Sequence, residues 1–288
     1  PEMGIKGAAI ATVLAGCFSF AAYIFLIMTP KNNRVYHSLR GWHPEKELFA
    51  RLIRFGVPSG VQFFLDMAGF TGFVLIMGRL GTISLAATNI AFNINTLAFM
   101  PMVGVGIAVS VLVGQYLGKD RPDLAQRSAY SGFTVTFIYM ATVAVLYVIT
   151  PELFVDPFAA GAEPVSFAEI NRLTIILLRF VAVYSIFDTL NIIFASAIKG
   201  AGDTRFVMNA IIVISACVLV IPTYILIIVL DYGLMTGWTI ASAYVIALGF
   251  VFYIRFLGGK WKAMRVIEEP VPVIFPDLPE CPAVEIER

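Results

Sequence analysis

Seven long apolar stretches, parted by short polar connections, make up most of this 288-residue chain. They fall at about residues 5–28, 52–78, 84–114, 129–149, 173–198, 206–230 and 235–257. Each reaches the roughly 20 residues that an α-helix needs to cross about 30 Å of hydrocarbon. Hydrocarbon offers no partner to backbone N–H and C=O groups, so such stretches must be helical. The pattern therefore predicts an all-α polytopic membrane protein, a bundle of about seven transmembrane helices. The connections between them are expected at 115–127, which is polar, and at 152–169, which is acidic and contains Pro157 and Pro164.

The charges in the connections alternate along the chain. Lys31, Arg34, Arg40, Lys46, Arg51 and Arg54 lie on one side, joined by Lys119, Arg121, Arg127, Lys199, Arg205, Arg255, Lys260, Lys262 and Arg265. The other side offers Arg79 and Arg172. The positive-inside rule makes the basic side and the C-terminus cytoplasmic, in a multi-pass protein of the plasma (inner) membrane. The first span then runs from outside to inside. The chain opens at Pro1-Glu2-Met3-Gly4 without an initiator methionine, so it reads as a fragment; five preceding spans would make twelve. Residues 266–288 carry five of the prolines among acidic residues and are expected to be a disordered cytoplasmic tail.

Composition agrees, with 59% hydrophobic and 14% charged residues, against the roughly 45–50% and 25% of soluble domains. The net charge of +1 follows topology and points to no nucleic acid. The cysteines Cys17, Cys217 and Cys281 are scattered, and neither His37 nor His43 joins a ligand constellation. No metal spacing or cofactor motif appears.

Candidate chemistry rests on two acids in mid-span, Asp66 and Asp188. A carboxylate at the bilayer centre costs roughly 2.5–3.5 kcal/mol on insertion scales, so such groups normally face a wet cavity or each other and mark an ion pathway. Helical spacing puts Tyr184, Asp188 and Asn191 on one face, and Gln62 and Asp66 on another. Asn89, Asn93 and Thr96 share a third, with Met100 one turn on. Asparagine and threonine also serve as interhelical glue, and Arg179, near a span end, is given a structural role. Desolvation disfavours a charged carboxylate, so the acids can exchange protons. Alternatively the oxygens of Asp66, Asp188 and Tyr184, with backbone carbonyls, can hold Na⁺. Pro58, Pro101 and Pro222 imply bent helices beside a cavity. Gly104 and Gly106 beside Pro101 suggest a flexing point, whereas Pro222 alone reads as a static kink.

Several segments resemble the MATE (multidrug and toxic compound extrusion) family. Leu52-Ile53-Arg54-Phe55-Gly56-Val57-Pro58-Ser59-Gly60 is similar to the start of the family's seventh helix. Ala86-Ala87-Thr88-Asn89-Ile90-Ala91-Phe92-Asn93, Met100-Pro101-Met102 and Val113-Gly114-Gln115-Tyr116-Leu117-Gly118 resemble its eighth. Lys199-Gly200-Ala201-Gly202-Asp203-Thr204-Arg205 resembles the connection between the tenth and eleventh, and Gly4-Ile5-Lys6-Gly7-Ala8-Ala9-Ile10-Ala11-Thr12 the sixth. The resemblance implies the C-terminal lobe of a two-lobed, twelve-helix antiporter. Residues 1–30 would be the last helix of the N-terminal lobe, 31–50 a basic inter-lobe loop, and 51–265 the six-helix C-terminal lobe. It also implies cation coupling at Asp66, Asp188 and Tyr184, with Asn89 and Asn93 as polar cavity positions. The family often has glutamate where this chain has Asp66. The implied partners are a small organic substrate, membrane lipid and the missing N-terminal lobe; the implied coupling ion is Na⁺ or H⁺.

Two other readings compete. A lipid-linked oligosaccharide flippase of the same superfamily would favour basic residues in its cavity, and the mid-span charges here are acidic. Gly200-Ala201-Gly202-Asp203 matches the GxGD element of intramembrane aspartyl proteases, but short motifs match often by chance. Asp203, flanked by Lys199 and Arg205, is expected to cap a helix or shape a turn.

Overall fold

A computed structural model describes residues 4–29, 45–158 and 164–264. The start of the basic loop, with Lys31, Arg34 and Arg40, and the proline-rich tail 266–288 lie outside the described residues. Among those described, seven helices are long and apolar enough to cross a membrane. They are α1 (Gly4–Met28), α2 (Lys46–Arg79), α3 (Thr82–Gly118), α4 (Pro122–Ile149), α5 (Pro164–Gly200), α6 (Thr204–Val229) and α7 (Leu234–Leu257). The chain divides after Arg54 into two units. In the first, α1 is apolar on every side, and the Arg51 guanidinium donates to Glu47 at 3.3 Å.

In the second unit the helices outrun the apolar stretches, so the connections are shorter than expected. The polar connection expected at 115–127 is three residues long, because α3 continues to Gly118 and α4 begins at Pro122. Proline at the first helical position loses no bond, since that N–H would be unpaired anyway, and Asp123 in the same turn suits the positive helix end. Pro151 and Pro164 likewise open helical segments inside the expected acidic connection. Tight turns at Gly81 (φ +112°) and Gly202 (φ +94°) reverse the chain. These are backbone angles where glycine carries no Cβ penalty. Successive helices therefore alternate in direction: α3, α5 and α7 run one way, α2, α4 and α6 the other. The end holding residues 119–121 and 201–203 is called here the basic end.

Helix α5 is the centre of the bundle and packs along α3, α4 and α7. Two glycines bring backbone close to backbone. A Cβ at Gly200 would run into the backbone carbonyl of Ser110 on α3, and one at Gly249 on α7 would sit 2.8 Å from the Phe187 carbonyl oxygen. The buried side chains form two clusters stacked along the helix axes. One, toward the far end, includes Phe73, Met77, Ala91, Met102, Tyr184 and Trp238. The other, toward the basic end, includes Val109, Val113, Ala129, Phe194, Phe252 and Trp261.

Helices α2 and α3 remain helical through Pro58 and Pro101. The departure from α-geometry is around Pro222, where Ser215–Val220 and Tyr224–Val229 are π-helical. The sequence explains this. Inward positions recur every fourth residue at Val207, Ile211, Ser215, Leu219, Thr223 and Ile227, all buried except the half-buried Ser215. An α-helix of 3.6 residues per turn slips about 40° per such step, so only wider turns keep the row facing the bundle.

At the basic end, Asp203 stands just before α6 but caps nothing with its side chain. Its Oδ2 instead accepts from Arg255 Nε at 3.0 Å and Nη2 at 2.6 Å, and the guanidinium lies 4.4 Å from the Phe206 ring centre. The expected capping role is therefore corrected: α7 supplies a cation whose charged hydrogen bonds outcompete the local N–H groups.

Two outcomes follow for thermal unfolding of the detergent-purified protein. Gly200→Ala should destabilise by about 1–3 kcal/mol through overpacking, whereas Gly104→Ala, with no atom within 4 Å of the new Cβ, should leave stability unchanged or slightly raised. Arg255→Ala should cost about 1.5–3 kcal/mol, the range for hydrogen bonds to charged groups.

Candidate functional site

Asp66 and Asp188 lie at the seam between the two apolar clusters. On α5, Asp188 falls between Tyr184 of the far cluster and Ile193 of the basic-end cluster. On α2, Asp66 is flanked by Leu65, which packs on the basic-end cluster, and Phe73 of the far cluster. On α6, Ser215 follows Ile214, packed on one cluster, and precedes Leu219 of the other. Tyr244 of α7 touches both.

Contacts elsewhere in the bundle fix the same level independently. The Phe73 and Trp238 rings lie 6.1 Å apart. From there Asp66 and Tyr244 are seven and six residues closer to the basic end on antiparallel helices, about 10 Å in each case. Gly69 would bring a Cβ within 3.8 Å of Leu219, and one turn nearer the basic end those parallel helices carry Leu65 and Ser215. Gly249 lies against Phe187 and Asn191, which sets Asp188 beside the Tyr244–Gly249 stretch of α7. Asp66 and Asp188 are accordingly within electrostatic range of each other and of Tyr244, and Tyr244 is within reach of Ser215.

The acids differ in surroundings. Asp188 is 6% exposed and accepts from Asn191 Nδ2 at 2.8 Å. Tyr184, one turn away, is 7% exposed, and Tyr147 in the same far cluster donates its hydroxyl to the Ile94 carbonyl at 3.2 Å. Asp66 is half-buried and takes a long 3.5 Å contact from Gln62 Nε2. Lys199, in the last turn of α5, lies about 16 Å of helix rise beyond Asp188 and acts on Asp66 only from a distance. Among the described residues no group of three or more His, Cys, Asp or Glu side chains converges, so no divalent-metal cage is built here.

The structure therefore brings together Asp66, Asp188, Tyr184, Gln62 and Asn191. It does not bring Asn89 and Asn93 to them. Both are exposed on the open face of α3, where Asn93 Nδ2 donates to the Asn89 carbonyl at 2.8 Å. Gly104 shares that exposure, while Gly106 is buried where α3 touches Ser196 and Ile192 of α5. Arg179 is exposed, in line with a peripheral role. Sequence reasoning missed Tyr244, Ser215 and Lys199. A lone tyrosine and a lone serine in apolar spans look like interhelical glue, and Lys199 was placed with the connection rather than the helix. A groove of about 620 Å³ lies along α4 by Gln126 and Arg127, and neither Asp66 nor Asp188 lines it.

A family model described as MatE matches residues 58–226. A probable multidrug resistance protein NorM of Mesorhizobium japonicum is 31% identical over 209 residues, 72% of this chain and 44% of that protein. A multidrug resistance protein NorM of Vibrio parahaemolyticus is 31% identical over 210 residues, 73% of this chain and 45% of that one. The chain spans about half the length of the curated relatives it matches. A crystal structure of MATE in the straight conformation shares the fold, with a TM-score of 0.76 at 17% identity over 89% of this chain and 57% of that one. With more than half of the chain matched by the family model, and relatives at nearly one-third identity over more than two thirds of it, this chain belongs to the MatE, or multidrug and toxic compound extrusion, family.

Proposed function

We propose that the chain forms the cation-coupling lobe of an antiporter in the plasma (inner) membrane. The antiporter exports organic, cationic or amphipathic compounds in exchange for Na⁺ or H⁺ by alternating access. The observation that carries this reading is the placing of Asp66 and Asp188 at the seam between the two clusters inside a bundle of apolar helices. Two carboxylates held there are costly unless an ion neutralises them, so the site favours states in which a cation is present. A lipophilic cation is drawn to the same negative charge, and to aromatic faces such as those of Phe70 and Phe92 nearby. If coupling ion and substrate cannot share the site in one conformation, each weakens the other's binding by the same factor, and that antagonism is exchange. The basic connections and C-terminus are cytoplasmic in this proposal. Acidic rather than basic groups at mid-span argue against an anionic, pyrophosphate-linked cargo.

The test is transport by the full-length protein in proteoliposomes, with a Na⁺ gradient and a pH gradient imposed separately. Asp188→Asn should abolish gradient-driven efflux while leaving membrane insertion intact. Asp66→Asn should impair coupling less completely, because Asp66 is the more exposed of the two. Undiminished ion-driven transport by Asp188→Asn would refute the proposal.

A further inference from the structure

The surface along α4 carries two grooves that run into each other. The one of about 620 Å³ and a second of about 460 Å³, opening between α3 and α4, share Arg127, Ser131 and Val135 as lining residues. From Asp123 to Val135 the joint groove follows α4 for about 18 Å of helix rise, against roughly 15 Å for one leaflet of a 30 Å hydrocarbon core. Its chemistry is graded along that length. The inner part is formed by Val105, Ala108 and Val135, of which Ala108 and Val135 are exposed. Gly132 keeps the floor low, since it lies directly on Val109 where a Cβ would not fit.

The half nearer the basic end is polar and cationic. Asp123 lines it, but both of its oxygens are engaged: Arg121 Nε donates to Oδ1 at 3.1 Å and Nη2 to Oδ2 at 3.0 Å. No carboxylate forms an ion pair with Arg127 among the described residues. A second cation reaches the same rim from beyond α7, where Lys262 Nζ donates to Gln126 Oε1 at 2.6 Å. Snorkelling accounts for a lone cation near a helix end, but it does not account for an apolar trough leading away from two of them. A net positive rim above an apolar trough one leaflet deep matches a lipid with an anionic head. We propose that the α3–α4 groove binds one anionic phospholipid, its phosphate at Arg127 and Lys262 and one acyl chain along Val105, Ala108 and Val135. Basic pockets between spans recognise anionic headgroups, and a guanidinium can hold a phosphate through two hydrogen bonds. Such a site needs membrane-spanning helices and no particular coupling ion, so it stands apart from the antiport reading.

Native mass spectrometry of the full-length protein, titrated in detergent with phosphatidylglycerol or phosphatidylcholine, reads the tightest-bound lipid directly. The parent should prefer phosphatidylglycerol about fivefold or more, and Arg127→Gln should lose about fivefold in affinity for it, the factor for one basic group at an anionic headgroup. Arg127→Lys should retain most of the preference. Ala108→Phe, which fills exposed groove space and leaves the charge alone, should weaken phosphatidylglycerol to a similar extent. Arg205→Gln, exposed at the same end on α6 but outside the groove, should behave as the parent. Unfolding temperatures without added lipid should match the parent in every variant. Equal affinity of the parent for the two lipids would overturn the assignment, as would undiminished phosphatidylglycerol binding in both Arg127→Gln and Ala108→Phe. An equal loss in Arg205→Gln would overturn it too, by showing attraction to surface charge alone. A parent dimer abolished by Ala108→Phe would give the groove to a second copy of the chain instead.

Discussion

Two carboxylates must be accommodated in a medium that solvates them poorly, and the arrangement of the second unit follows from that requirement. Apolar side chains cannot surround a charge without heavy cost. The core accordingly splits into a far cluster and a basic-end cluster, and the polar groups occupy the level between them. Around Asp188 the gap is filled by Asn191 and Tyr184, around Asp66 by Gln62 and, further off, Lys199. The division is visible even in helices that bring no acid: α3 passes from Met102 to Val109 across it, with Gly104 open to the outside.

One irregular stretch of backbone, the π-helical Ser215–Val220 of α6, starts at the same level. Proline frees a carbonyl four residues earlier, and a wide turn leaves others poorly paired. In hydrocarbon such groups are tolerated only against protein or water. Irregular backbone and buried charge thus favour the same location, and each makes the other less costly. Asp203 and Arg255 do the opposite at the basic end, where a charged pair and the ring of Phe206 join α6 to α7.

Much of this was legible in the sequence, for definite reasons. The number and order of spans could be read because hydropathy is a one-dimensional signal and hydrocarbon thickness fixes its length scale. Asp66 and Asp188 stood out because acids within such stretches are rare, and Tyr184, Gln62 and Asn191 followed from helical spacing on the same helix. What could not be read required knowing which helices meet. Tyr244 and Ser215 carry no polar stripe of their own and acquire meaning only opposite the acids. Asn89 and Asn93, which do form a stripe, are exposed rather than buried with the acids. Connection lengths were overestimated at 115–127, since polar residues there belong to helix ends that extend beyond the apolar slab. Asp203 was read from its position in a turn, while its partner lies 52 residues away in sequence.

The four-residue row on α6 has a consequence for how this protein can vary. Loops in membrane proteins usually absorb insertions and deletions, whereas here the number of residues from Val207 to Ile227 is itself fixed by geometry. Dropping a single residue within that stretch would swing everything after it by about 100°. Leu219, Thr223 and Ile227 would then look out at lipid, and Ser215 would lose its place next to Tyr244. Chain length, as much as residue identity, holds this wall of the site in place.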